Sequence, residues 1–211
     1  QTEPPLIQAW FPSTFGFWNN GGSWSISVEA FFYCLLPLVL FLLRRRSIRT
    51  SAIVLIVAYA CSILPGFAYL TFPNPPPLTT YYAGPIYRLP EFVVGATAGL
   101  LFLAGHRIRA PSIVLSASIL ALCAALAFGP PLAFAYITTH IYSVPLLLLV
   151  IVSAASLREG KLYRMMTWRP VVFLGEISYS FYAFQAFFLL ILISVGTDLS
   201  SVIGTIGGAW V

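Results

Sequence analysis

The sequence predicts an all-α fold, a polytopic transmembrane helical bundle of about six spans plus a partial seventh. Three observations lead there. Of its 211 residues, 59% are hydrophobic and only 8% charged, against the roughly 25% charged residues of ordinary soluble domains. Apolar stretches long enough to cross a hydrocarbon core, which takes about 20 helical residues, recur along almost the whole chain. The basic residues sit in the short polar breaks between those stretches, where they set orientation.

Residues 1–24 are rich in Pro, Gly, Asn and aromatic side chains (Trp10, Phe11, Phe15, Phe17, Trp18, Trp24), a composition suited to the headgroup level. They read as an outer interfacial loop, with residues 25–211 forming one membrane domain. The chain opens on Gln1 rather than Met and closes on a short apolar run, so pieces are expected to be missing at both ends. Spans are predicted over 25–43, 51–71, 87–105, 112–128, 142–157 and 171–195, with a seventh starting near 200. Alternating six spans places Arg44, Arg45, Arg46, Arg49, Arg107, Arg109, Arg158, Lys161, Arg164 and Arg169 on one side, which is ten of the eleven basic residues. That side is cytoplasmic by the positive-inside rule. The opposite connections, residues 72–82 and Gly-Pro-Pro at 129–131, are uncharged and proline-stiffened.

The net charge of +5 does not indicate nucleic acid, because the basic residues are dispersed rather than gathered on one patch. Cys34, Cys61 and Cys123 fall within apolar runs and read as small buried apolar side chains. No metal-ligand spacing is present.

Arg88 is the basic residue on the other side, in Arg-Leu-Pro-Glu-Phe at the outer end of the third span. Pro90 suits a first helical turn, and Arg88 and Glu91, three apart, share a face and can pair. Continued at helical spacing, that face reaches Gly95 and Gly99, a G-x-x-x-G that allows close approach of another helix. Glu29, near the outer start of the first span, lies at the same depth as Glu91, roughly 5 to 8 Å inside its helix at 1.5 Å per residue. Charges within a bilayer are functional candidates, and Glu29, Arg88 and Glu91 form the candidate site. The alternative is a buried ion pair that only locks helices. On the last full span, Gly175, Ser178, Tyr182 and Gln185 form a polar stripe, read either as interhelical hydrogen bonding or as the lining of a wet cavity. Glu176 lies off that stripe and reads as a partner of the basic inner loops. His106 in an inner loop and His140 in an outer loop have no carboxylate near them in sequence and read as bystanders.

Three motifs, W-S-I-S-V-E-A-F-F-Y (Trp24 to Tyr33), R-L-P-E-F-V-V-G (Arg88 to Gly95) and L-G-E-I-S-Y-S-F-Y (Leu174 to Tyr182), resemble in residues and order the membrane acyltransferase type 3 family. The resemblance implies an integral enzyme, in the bacterial cytoplasmic (inner) membrane, that takes an acyl group, commonly acetyl from acetyl-CoA as co-substrate, to a hydroxyl of a carbohydrate or glycolipid acceptor. No bound cofactor is implied. The family's general-base histidine lies on a helix upstream of W-S-x-S-V-E, before this sequence begins, and neither His106 nor His140 takes its place by motif. Gln185 stands where family members often have histidine. The resemblance implies that Glu29 orients or charges that upstream histidine, that Arg88 faces developing negative charge with Glu91 holding it, and that Trp24, Ser25 and Ser27 shape the outer mouth. Ser178, Tyr179, Tyr182 and Gln185 are the remaining candidates for substrate contact. The rival readings are a transporter or flippase of a glycan or lipid precursor, and a non-catalytic homologue.

Overall fold

A computed structural model describes residues 8–11, 24–76, 78–128 and 135–194. Among them every regular element is helical. A 3-10 turn (Gln8–Trp10) precedes α1 (Trp24–Leu43), α2 (Ile48–Thr71), the short α3 (Leu78–Ala83), α4 (Pro85–Leu103), α5 (Pro111–Phe128), α6 (Ala135–Ser156), the short α7 (Gly160–Met166) and α8 (Arg169–Ser194). Four helices, α1, α2, α4 and α5, are long and apolar enough to cross a membrane among the described residues. A fifth arises if His140–Ser156 and α7, bent by 96°, form one broken span. The expected count of six with a partial seventh is therefore met only in part, and the run near residue 200 lies outside the described residues.

Local chemistry explains the ends of the helices. Ser47 caps α2 by accepting from the Thr50 amide at 3.2 Å, satisfying one of the donors that every helix start leaves over. The end of α4 turns on Gly105, φ +93°, with the Gly105 amide on the Phe102 carbonyl and the His106 amide on the Leu101 carbonyl, both at 3.0 Å. This is the paired closure that a left-handed glycine allows. Gly160, φ +95°, makes the same conformation available at the bend into α7.

The interior is assembled from small residues. Ala58, Ser62 and Gly66 of α2, Thr97 and Ala98 of α4, Ser118 of α5 and Ser153 of α6 are buried, while large side chains such as Phe41, Ile56, Leu103, Ile113 and Leu120 face outward. In a bilayer, helices gain nothing from hiding leucine from lipid and associate instead through close backbone approach. The close approach expected at Gly95 and Gly99 is not made: both are exposed, and a Cβ at either would meet nothing within 4 Å among the described residues. From Glu91 the packed face runs to Val94 and Ala98, at spacings of three and four, and two steps of four rotate away from it at 3.6 residues per turn. The cysteines also depart from expectation. Cys34 and Cys123 are exposed and Cys61 is half-buried, consistent with lipid-facing thiols.

The basic connections gather at one end. The Ile108 amide, between Arg107 and Arg109, lies 3.5 Å from Ser156 Oγ at the end of α6, just before Arg158. The starts of α4 and α6 meet at the other end, and there the charged side chains lie.

Candidate active site

The connection from α3 to α4 sets the position of Arg88. Gly84 caps α4 and Pro85 occupies its first position, where a missing N–H is no loss. Pro90, expected in the first turn, lies one turn further in. Gly84 is required by space rather than by its φ of −66°: a Cβ there would come within 2.6 Å of the Thr80 carbonyl oxygen and 2.8 Å of the Tyr87 ring. This tight corner brings the Tyr82 carbonyl over Arg88, whose Nε donates to it at 2.6 Å. The Tyr82 ring lies 4.6 Å from the guanidinium carbon, a cation–π distance, and Trp24 of α1 packs against that ring at 5.1 Å. Trp24 thus reaches the site through Tyr82.

Arg88 and Glu91 pair as their spacing predicts. Arg88 NH1 donates to the two oxygens of Glu91 at 3.0 and 3.1 Å. The reading of His140 as a bystander is overturned. Its Nε2 lies 2.7 Å from Glu91 Oε1 and 3.3 Å from Arg88 NH1, and its side chain is 9% exposed. It also lies within a helix, because α6 begins at Ala135, seven residues before the predicted span. Two donors cannot point their hydrogens at each other, so Nε2–H donates to the carboxylate and the Arg88 contact is electrostatic.

Three charged or polar side chains from α4 and α6 therefore converge, with Glu91, 27% exposed, the most open of them. Phe92, next to Glu91, stacks on Phe32 of α1 at 4.6 Å. Glu29 lies one turn before Phe32 on α1, yet no ion pair joins it to another described residue.

Two other candidates do meet. Ser25 Oγ and Tyr182 OH are 2.8 Å apart and join α1 to α8. Ser27 is buried, and its Oγ accepts from the Ala9 amide at 3.4 Å, so it anchors the 3-10 turn on α1 rather than lining a mouth. Ser178 Oγ donates to the Gly175 carbonyl at 2.7 Å within its own helix. The side chains of Tyr179 and Gln185 lie outside the described residues. Glu176 is exposed and makes no ion pair with a described residue.

Sequence reasoning missed His140 because it compared residues along the chain. The available signal was depth: Arg88 and His140 both flank outer connections, and the two histidines differ in that only one lies on the side opposite the basic loops.

This geometry belongs with what the chain is similar to. A family model described as an acyltransferase domain, that of the type 3 acyltransferases, matches residues 1–211. The acyltransferase MdmB of Streptomyces mycarofaciens is 31% identical over 192 residues, covering 84% of this chain and 47% of that protein. The chain thus spans about half the length of this curated relative. No solved structure matches it. With its three motifs in order and the match running from Gln1 to Val211, the chain belongs to the acyltransferase type 3 family.

Proposed function

We propose that the protein carrying this chain is a membrane-embedded O-acyltransferase that moves an acyl group, acetyl foremost, from acyl-CoA to a hydroxyl of a carbohydrate or glycolipid acceptor. The observation that carries this reading is the Arg88–Glu91–His140 cluster, three groups held together at one end of an otherwise apolar bundle in a member of an acyltransferase family. Acyl transfer needs a base for the hydroxyl proton and charge complementary to the oxyanion that forms on the thioester carbonyl. The resemblance gives the hydroxyl proton to a histidine outside these residues, and His140 joins Arg88 and Glu91 at the reacting carbonyl. Glu91 accepts from the His140 ring and from Arg88 and so holds both in place. Arg88, fixed by Tyr82 and Glu91, supplies positive charge. As the acceptor oxygen bonds to the carbonyl carbon, the carbon–sulfur bond breaks and the CoA thiolate leaves, with the proton returned to it or to solvent.

The acceptor end of the bundle faces away from the cytoplasm in this reading. It is supported by the ten basic residues of the opposite connections, which the positive-inside rule puts on the cytoplasmic side. In this reading Glu29, one turn from the Phe32–Phe92 contact, meets the substrate beside the cluster.

The test is transfer from radiolabelled acetyl-CoA to membrane glycan by the intact protein, with His140→Gln beside the parent. Loss of transfer with unchanged membrane abundance is expected. A His140→Gln protein that transfers at the parental rate would refute this assignment.

A further inference from the structure

A proline inside α6 leaves its mark beside His140. Pro145 has no N–H, so the carbonyl four residues earlier, that of Ile141, loses its intrahelical donor, and the proline ring crowds that same oxygen. In a membrane such an orphan must be met from elsewhere in the protein. Tyr59 of α2 meets it: its hydroxyl donates to the Ile141 carbonyl at 2.5 Å. Tyr59 is itself steadied one turn on, where the buried Ser62 Oγ donates to the Tyr59 carbonyl at 2.7 Å.

From this geometry we infer that Tyr59 is a positioning residue for His140, acting through the backbone carbonyl that Pro145 leaves without a helical partner. Ile141 adjoins His140, so a bond to its carbonyl fixes the turn from which the imidazole projects. α2 also packs along α4, the helix of Arg88 and Glu91. Tyr59 therefore ties the histidine's turn to the same frame that carries the carboxylate, and the 2.7 Å Nε2–Oε1 contact is not left to hold α6 by itself. A proline at this point makes the tie specific, because an ordinary helix would already use that oxygen. The inference rests on the placing of His140 in the acyl-transfer site.

The experiment uses the intact protein in membranes with Tyr59→Phe, Pro145→Ala and the two combined. It reads kcat and KM for acyl transfer and, independently, the rate at which diethyl pyrocarbonate modifies His140, followed by mass spectrometry. Tyr59→Phe is expected to lower kcat about tenfold with KM within about twofold, since a displaced site residue harms the chemical step rather than binding. The modification rate of His140 should change by about threefold or more, the turn being no longer held. Adding Pro145→Ala returns an N–H to the Ile141 carbonyl, so the double variant should recover most of the lost kcat, a coupling that a cycle of the four proteins measures. The inference is overturned if Tyr59→Phe leaves both kcat and His140 reactivity at parental values, or if Pro145→Ala rescues neither. Should Pro145→Ala alone disturb α6, the His140 reactivity of Tyr59→Phe decides: a change upholds the tie and none overturns it. If the parent protein transfers no acyl group, the functional assignment fails, while the reactivity measurement still tests whether Tyr59 positions His140.

Discussion

Replacing Glu91 by Gln keeps the size of the side chain and removes its charge. The carboxylate accepts from His140 at 2.7 Å and from Arg88 NH1 at 3.0 and 3.1 Å. An amide retains one acceptor oxygen and turns an N–H toward one of these donors, so one contact is lost and the other is weakened. Hydrogen bonds to charged groups are worth about 1.5–3 kcal/mol each, and the partial exposure of Glu91 argues for the lower end. Glu91 holds Arg88 and His140 where negative charge develops on the carbonyl oxygen, so the loss falls on the transition state and should appear in kcat. About 2 kcal/mol corresponds to about a 30-fold fall in kcat, with KM little changed. The assay is steady-state transfer from labelled acetyl-CoA by the intact protein in proteoliposomes, normalised to inserted protein. Because Glu91 acts through His140, adding His140→Gln to Glu91→Gln should cost no more than the worse single change. A Glu91→Gln protein within twofold of the parent in kcat, or strictly multiplicative losses in the pair, would refute the reasoning.

Gly84→Ala puts a methyl group against the Thr80 carbonyl and the Tyr87 ring and is expected to destabilise by about 1–3 kcal/mol, as overpacking does, whereas Gly95→Ala and Gly99→Ala, open on that side, should be neutral or stabilising by up to about 1 kcal/mol; thermal unfolding in detergent ranks the three, and an equal loss at all of them would contradict the described packing. Ser25→Ala and Tyr182→Phe remove opposite ends of one hydrogen bond, so their effects on stability should be non-additive by about 1 kcal/mol; full additivity in the same assay would mean that α1 and α8 are not joined there. After replacement of Cys34, Cys61 and Cys123, a cysteine at Arg109 should react with a membrane-impermeant maleimide only from the cytoplasmic side and one at Asn74 only from the outside, and labelling of both from one side would overturn the orientation.

Much of this protein was legible in the order of its residues. Bilayer solvation leaves few freedoms: apolar runs near 20 residues must become helices because no other open structure satisfies its backbone in lipid, and so the predicted spans agree with α1, α2, α4 and α5 to within three residues at each end. The Arg88–Glu91 pair was equally readable, since partners three apart on a helix meet whatever surrounds them. The start of α6 was not, because Thr138, Thr139 and His140 interrupt the apolar run and read as loop, and that error put His140 in the wrong element. Contacts between helices are set by how each helix is rotated, which no local pattern reports. Only the tertiary structure decided that the packed face of α4 runs through Val94 and Ala98 rather than Gly95 and Gly99, that Ser25 meets Tyr182, and that Tyr59 answers the carbonyl freed by Pro145. It also decided the composition of the site: residues 88, 91 and 140 converge because two helix starts, far apart in sequence, lie side by side, where a buried charge needs a partner and geometry supplies one.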